Sequence, residues 1–268
     1  MLGKLIKYEF KVTSKVLIPI HIFLVVITMI GILLLKTKVF QNDDMIFISI
    51  GFAGFYIFTL LAGSFAVTVY LFAHLYRNLF TKQGYLMFTL PVLPSHLLYS
   101  KSIVGFFWYI LNTVTTLLSS VLLILAADGL KFFNELTGSK AGFAEIFGFT
   151  PVQFLLLFMI FSIVSSFYSL SVINFSILIG QLFEKYRIVA AGVTYFIIYI
   201  IQQILSTLLF MPTSYYIFSN ISETNTIGEA LTSFYRSLFI YMVIINFILA
   251  VIFNLVSRYI INKKINLE

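Results

Sequence analysis

The sequence contains no cysteine, so disulfides and thiolate metal sites are excluded. Charge is nearly as scarce: only 10% of the residues are Asp, Glu, Lys or Arg. Proline occurs five times, histidine three times and tryptophan once. No phosphate loop of the G-x-x-x-x-G-K-[ST] form, no H-E-x-x-H zinc pair and no G-x-S-x-G nucleophile elbow is present. The three histidines, His21, His74 and His96, have no plausible third ligand among the span residues and read as packing groups at the ends of apolar segments. Metal sites and catalytic centres are therefore not expected. Asn220-Ile221-Ser222 matches a glycosylation acceptor, a tripeptide common by chance.

What the chain has in abundance is apolar surface, with 60% hydrophobic and 18% aromatic residues, the composition of a protein whose solvent is mostly lipid. Six runs carry no charged residue: Val16 to Leu35, Met45 to Tyr76, Ser102 to Ala127, Ile146 to Phe183, Ile188 to Ser222 and Ser237 to Ser257. Each has the roughly 20 residues needed to cross a bilayer. An all-α membrane protein with six transmembrane helices is predicted, a single transmembrane domain over residues 1–268. The second, fourth and fifth runs are longer than one crossing and imply tilt or projection beyond the lipid.

Basic residues set the expected orientation, because Lys and Arg near span ends are retained in the cytoplasm. Residues 1–15, 76–101, 184–187 and 258–268 hold twelve of the seventeen basic residues, and the alternate connections hold Lys36, Lys38, Lys131, Lys140 and Arg236. Both termini are thus expected to be cytoplasmic, with extracellular segments at 128–150 and 212–236. The net charge of +7 then reports topology; nucleic-acid binding would need a basic face on a soluble domain, and none is expected. Thirteen Lys against four Arg, with abundant Ile, Phe, Asn and Tyr, points to an AT-rich bacterial genome.

The first fifteen residues read as an amphipathic interfacial helix. Lys4, Lys7, Lys11 and Lys15 form one stripe, and Leu2, Leu5, Ile6, Phe10 and Val12 lie across from it. Lysines that snorkel to lipid headgroups would account for the stripe. They do not account for Glu9, which falls on the apolar side, where an unpaired carboxylate is costly. Glu9 is therefore expected to pair with a cation from another cytoplasmic element, with Arg77 one candidate.

Between the second and third runs lies a segment, 76–101, that mixes Arg77, Asn78, Lys82, Gln83, Gly84, Pro91 and Pro94 with Tyr85, Leu86, Phe88 and Leu90. A short connection needs only a few turn residues, so this much apolar surface reads as a docking element, the other reading being a passive turn. Ser95 is expected to cap the helix that continues into the third span. Arg77-Asn78-Leu79-Phe80-Thr81-Lys82-Gln83-Gly84-Tyr85-Leu86-Met87-Phe88-Thr89-Leu90-Pro91-Val92, followed by Leu97-Leu98-Tyr99-Ser100-Lys101, resembles the loop after the second span of type-two ATP-binding cassette exporter permeases, and Lys7 to Lys11 is similar to their opening. Relatives often carry an acid before the Gly-Tyr pair, where this chain has Gln83.

The resemblance implies a permease subunit in the bacterial cytoplasmic membrane that binds no cofactor and is not itself an enzyme. It implies a second permease, identical or paralogous, and a separate cytoplasmic ATPase where ATP and Mg act. Arg77, Asn78, Lys82, Gln83, Gly84, Tyr85, Leu86 and Pro91 would belong to a coupling helix seated on that ATPase, and Lys4, Lys7, Glu9, Phe10 and Lys11 to the interfacial helix. The implied cargo is hydrophobic or amphipathic: an antimicrobial peptide, a drug or a lipid-like molecule. Mid-span acids and bases of the kind ion-coupled carriers use are missing. An ion-independent carrier and a membrane scaffold or sensor remain as alternatives. Asn112, Thr116 and Ser120 of the third run, with Ser162, Ser166 and Ser169 of the fourth, make polar stripes that read either as helix-packing surfaces or as a translocation path.

Overall fold

The computed structural model describes residues 2–36, 46–80, 93–124, 126, 151–183, 185–219 and 227–263. Among these the chain is helical throughout: α1 Leu2–Leu35, α2 Ile46–Phe80, α3 Pro94–Ile124, α4 Pro151–Gly180, α5 Arg187–Ser219 and α6 Ile227–Lys263. All six are long and apolar enough to cross a membrane. In lipid a helix satisfies its own backbone polar groups, which is why each uninterrupted apolar run takes this form. The helices overrun the charge-free runs because hydrogen bonding continues past the lipid boundary. Residues 2–15 are accordingly continuous with the first span, with no break separating an interfacial helix from it. Likewise α5 passes through Pro212 to Ser219, and α6 begins at Ile227, both within the segment expected to lie outside.

The helices group into two compact units, Met1–Phe132 and Phe133–Glu268. In the first unit, α1 and α3 run parallel, as the pairs Glu9–Lys101 and Thr13–Trp108 show, and α2 runs antiparallel to both. Its core holds Leu24, Tyr56 and Leu60, flanked by Ile27 and Leu123. Gly63 permits a close approach there, since a Cβ would stand 2.9 Å from Leu24 Cδ2.

The second unit has the same order of directions, with α4 and α6 parallel and packed directly on each other and α5 antiparallel to both. Tyr168, Val172, Ile198 and Ala250 form its core, with Phe167, Phe175, Leu249 and Phe253 against them. The α4–α5 connection is tight. Gln181 N–H donates to the carbonyls of Ile177 and Leu178, and Leu182 and Phe183 continue the turn. A Cβ on Gly180 would fall 2.6 Å from the Arg187 carbonyl oxygen and 2.7 Å from Ala191 Cβ, so only glycine fits.

Helix α3 starts one residue before the expected cap. Pro94 occupies its first helical position, where a missing N–H costs nothing, and the Leu93 carbonyl accepts from His96 N–H at 2.9 Å. Ser95 is therefore a buried residue of the first turn instead of the cap.

Candidate functional site

One end of the first unit is built around Glu9, only 4% exposed although it sits among the exposed lysines of α1. The carboxylate accepts a hydrogen bond from Lys101 Nζ through Oε1 and lies 2.8 Å from His74 Nε2 through Oε2. Lys101 is equally buried. A buried charge is tolerated when opposite charge and hydrogen bonds satisfy it, and here a lysine of α3 supplies the first and a histidine of α2 adds the second. Asn78, one turn beyond His74, places Nδ2 at 3.2 Å from Nδ1 and 3.0 Å from Nε2. With the Nε2 hydrogen on Glu9, Nδ1 is the nitrogen left to accept from Asn78. Tyr70 stacks on the His74 ring from the preceding turn, at 5.7 Å between centroids.

A second layer lies one turn deeper. Thr13 Oγ1 donates to the Glu9 backbone carbonyl at 2.9 Å and accepts from Trp108 Nε1 at 2.9 Å. Trp108 also stacks on Phe10, with centroids 5.3 Å apart, and contacts His21 at 5.8 Å. His21 is buried, and its Nδ1 lies 2.7 Å from the Leu17 carbonyl. The two layers lock α1 to α3 by charge, indole hydrogen bond and ring stacking.

The expectation that Glu9 finds a cation on another element holds, but the partner is Lys101, helped by His74, where Arg77 was the named candidate. Helical periodicity places Glu9 on the buried face of α1; it does not give the register of α1 against its neighbours. Arg77 occupies the last turn of α2 and is exposed, and Asn78 is half-buried beside His74. Lys82, Gln83, Gly84, Tyr85, Leu86 and Pro91 lie outside the described residues. Lys4, Lys7 and Lys11 are exposed, as a lysine stripe requires, and Phe10 rests on Trp108 and Phe107. Lys101, His74, Thr13 and Trp108 were missed as members of this site. A signal existed: Lys101 is the last charge before the third apolar run, near one end of its span as Glu9 is near one end of the first.

The polar stripes resolve into different roles. In the first unit Thr116 and Ser120 bond to the carbonyls one turn before them in α3. Asn112 Nδ2 instead crosses to Ser64 Oγ of α2 at 3.2 Å, and Tyr109 OH donates to Thr68 at 3.1 Å. In the second unit Ser162 and Ser166 bond to their own helix, and Ser166 is buried. Ser169, with Ser165, lines a cavity of about 470 Å³ among α4, α5 and α6. Among the described residues, no group of three His, Asp or Glu side chains is placed to hold a metal ion. Comparison with protein-family models, curated proteins and solved structures finds no match.

Proposed function

We propose that this chain is the membrane permease subunit of a type-two ATP-binding cassette exporter. In this reading it pairs with a second permease, identical or paralogous, and a separate cytoplasmic ATPase that binds ATP and Mg. The cargo is a hydrophobic or amphipathic molecule, and the membrane is the bacterial cytoplasmic one.

The observation that carries the reading is the joining of three helices at Glu9. Residues 76–101 are the stretch that resembles the coupling loop. Lys101 closes that stretch, His74 lies two residues before it, and both are bound to the same buried carboxylate of α1. A push on the segment would therefore reach α1, α2 and α3 together, since a charge pair in a low-dielectric site resists separation. Rigid-body motion of an ATPase dimer needs such a fixed foot to act on the spans. The lysine-rich face of α1 supports the same placement by keeping that end at the membrane surface.

Co-expression with the neighbouring genes, followed by purification in detergent, tests the proposal. A stoichiometric ATPase is expected with the wild type and is expected to be lost when Arg77, Tyr85 and Leu86 are replaced together by alanine. If no ATPase accompanies either protein, the chain is a self-contained carrier or scaffold.

A further inference from the structure

The cavity in the second unit is lined by polar groups of α4, α5 and α6. Its deepest wall is formed by Tyr168, Val172, Ile198 and Asn246, all buried. Tyr195 and Tyr199, 37% and 52% exposed, stand at its open side on α5. The lining extends along α4 from Phe161 to Val172, a length of about 16 Å at 1.5 Å per residue. Its volume falls in the range of small-molecule sites.

A hydrogen-bond relay crosses this wall. Tyr168 OH donates to Gln202 Oε1 at 2.9 Å, and Gln202 Nε2 donates to Asn246 Oδ1 at 3.3 Å. The relay consumes the Asn246 oxygen and leaves the amide nitrogen as a donor at its end. Ser165 lines the same cavity, and its buried Oγ has no hydrogen-bond partner among the described residues. None of the lining residues is charged.

These features select a class of occupant. An ion would find no opposite charge among the lining residues, which in an apolar span is strongly unfavourable. A pure hydrocarbon would leave Ser165 and the end of the relay without partners. A molecule with a neutral hydroxyl- or amide-bearing head satisfies both and lays its apolar body along Phe161, Ile198 and Met242. We propose that this cavity is a binding site for a neutral amphipath, its head held by Ser165 and Asn246 and its entry flanked by Tyr195 and Tyr199. The site belongs to a single copy of the chain, so it goes beyond the permease reading and does not rest on it.

Photolabelling of the full chain in phosphatidylcholine nanodiscs, without nucleotide or ATPase, tests this directly. The probes are a diazirine-tagged monoacylglycerol and a diazirine-tagged phosphatidylglycerol of the same chain length, the latter carrying charge. The expected result is saturable labelling of the 195–206 stretch by the neutral probe, competed by unlabelled monoacylglycerol, with little saturable labelling by the charged one. Ser165→Ala should weaken half-saturation about fivefold, the effect of one lost hydrogen bond. Ser165→Leu, which fills the cavity, should abolish saturable labelling, while Phe196→Leu on the exposed face of α5 should leave it unchanged. Labelling that never saturates, that the charged probe matches, or that persists in a Ser165→Leu protein eluting as a single species overturns the proposal. Should Ser165→Leu not fold, unchanged half-saturation in Ser165→Ala overturns it instead.

Discussion

Glu9 and Lys101 stand 92 positions apart in the chain and form one buried ion pair between α1 and α3. Neither has enough exposed surface to be solvated alone. Their relationship is asymmetric in energy: the intact pair contributes little net stability, but a half-pair leaves an uncompensated charge inside the unit.

Glu9→Gln should therefore destabilise the protein by about 3–5 kcal/mol, and Lys101→Met by a similar amount, whereas the double variant recovers most of the loss. Thermal unfolding of the purified protein in one detergent gives the three values. Additive losses in the double variant would show that the two residues act separately.

Trp108 is the sole tryptophan of the chain, so its fluorescence reports on this region without interference. It is 1% exposed, and its indole N–H is bound to Thr13. Low accessibility to acrylamide is expected in the wild type. A clear rise in quenching is expected in Thr13→Val, which removes the hydroxyl that accepts from the indole and keeps the shape of the side chain. Trp108→Phe should cost about 1 kcal/mol for the lost hydrogen bond, read as a lower unfolding midpoint.

Two glycines in the same region should respond in opposite directions. Gly180→Ala forces a Cβ into the Arg187 carbonyl and the Ala191 backbone nitrogen at 2.8 Å, so the α4–α5 turn must open at a cost of about 1–3 kcal/mol. Gly192 has open space around it, within α5. Gly192→Ala should be neutral or stabilise by up to about 1 kcal/mol through helix propensity. Parallel melts of the two variants distinguish the cases.

The hydroxyls of α3 should matter less than their sequence pattern implies. Thr116 Oγ1 is satisfied by its own helix, so Thr116→Val, which keeps the shape, should alter stability by less than about 1 kcal/mol. Asn112→Leu removes a bond to α2 and should cost more, with the difference read from unfolding midpoints.

Much of this architecture is legible in the order of residues, for a physical reason. Charge-free runs such as Ser237 to Ser257 have few options other than a helix, so the existence and number of long apolar helices follow directly. Helix ends are less legible, because hydrogen bonding carries α1 back to Leu2 and α6 on to Lys263, well beyond the apolar stretches. The need for a partner at Glu9 follows from one helix alone, whereas the choice of Lys101 over Arg77 depends on how three helices slide against one another. The same limit explains the serines of α4. Ser162, Ser166 and Ser169 share a face by periodicity, but a carbonyl one turn back takes up each hydroxyl. Among the described residues, the buried hydroxyls of α4 without a partner are those of Ser165 and Ser176.

The position of Lys101 also orders events during synthesis. When α1 first leaves the ribosome it carries a carboxylate on its apolar side, and neither of the side chains that will neutralise or bind it yet exists. His74 arrives with the end of α2, and the counter-charge arrives only with α3. Until then α1 holds an acid that must stay hydrated at the membrane edge. A chain ending at Phe80 would remain without the counter-charge. The three helices are in this sense a unit of biogenesis, completed only when residue 101 has been made.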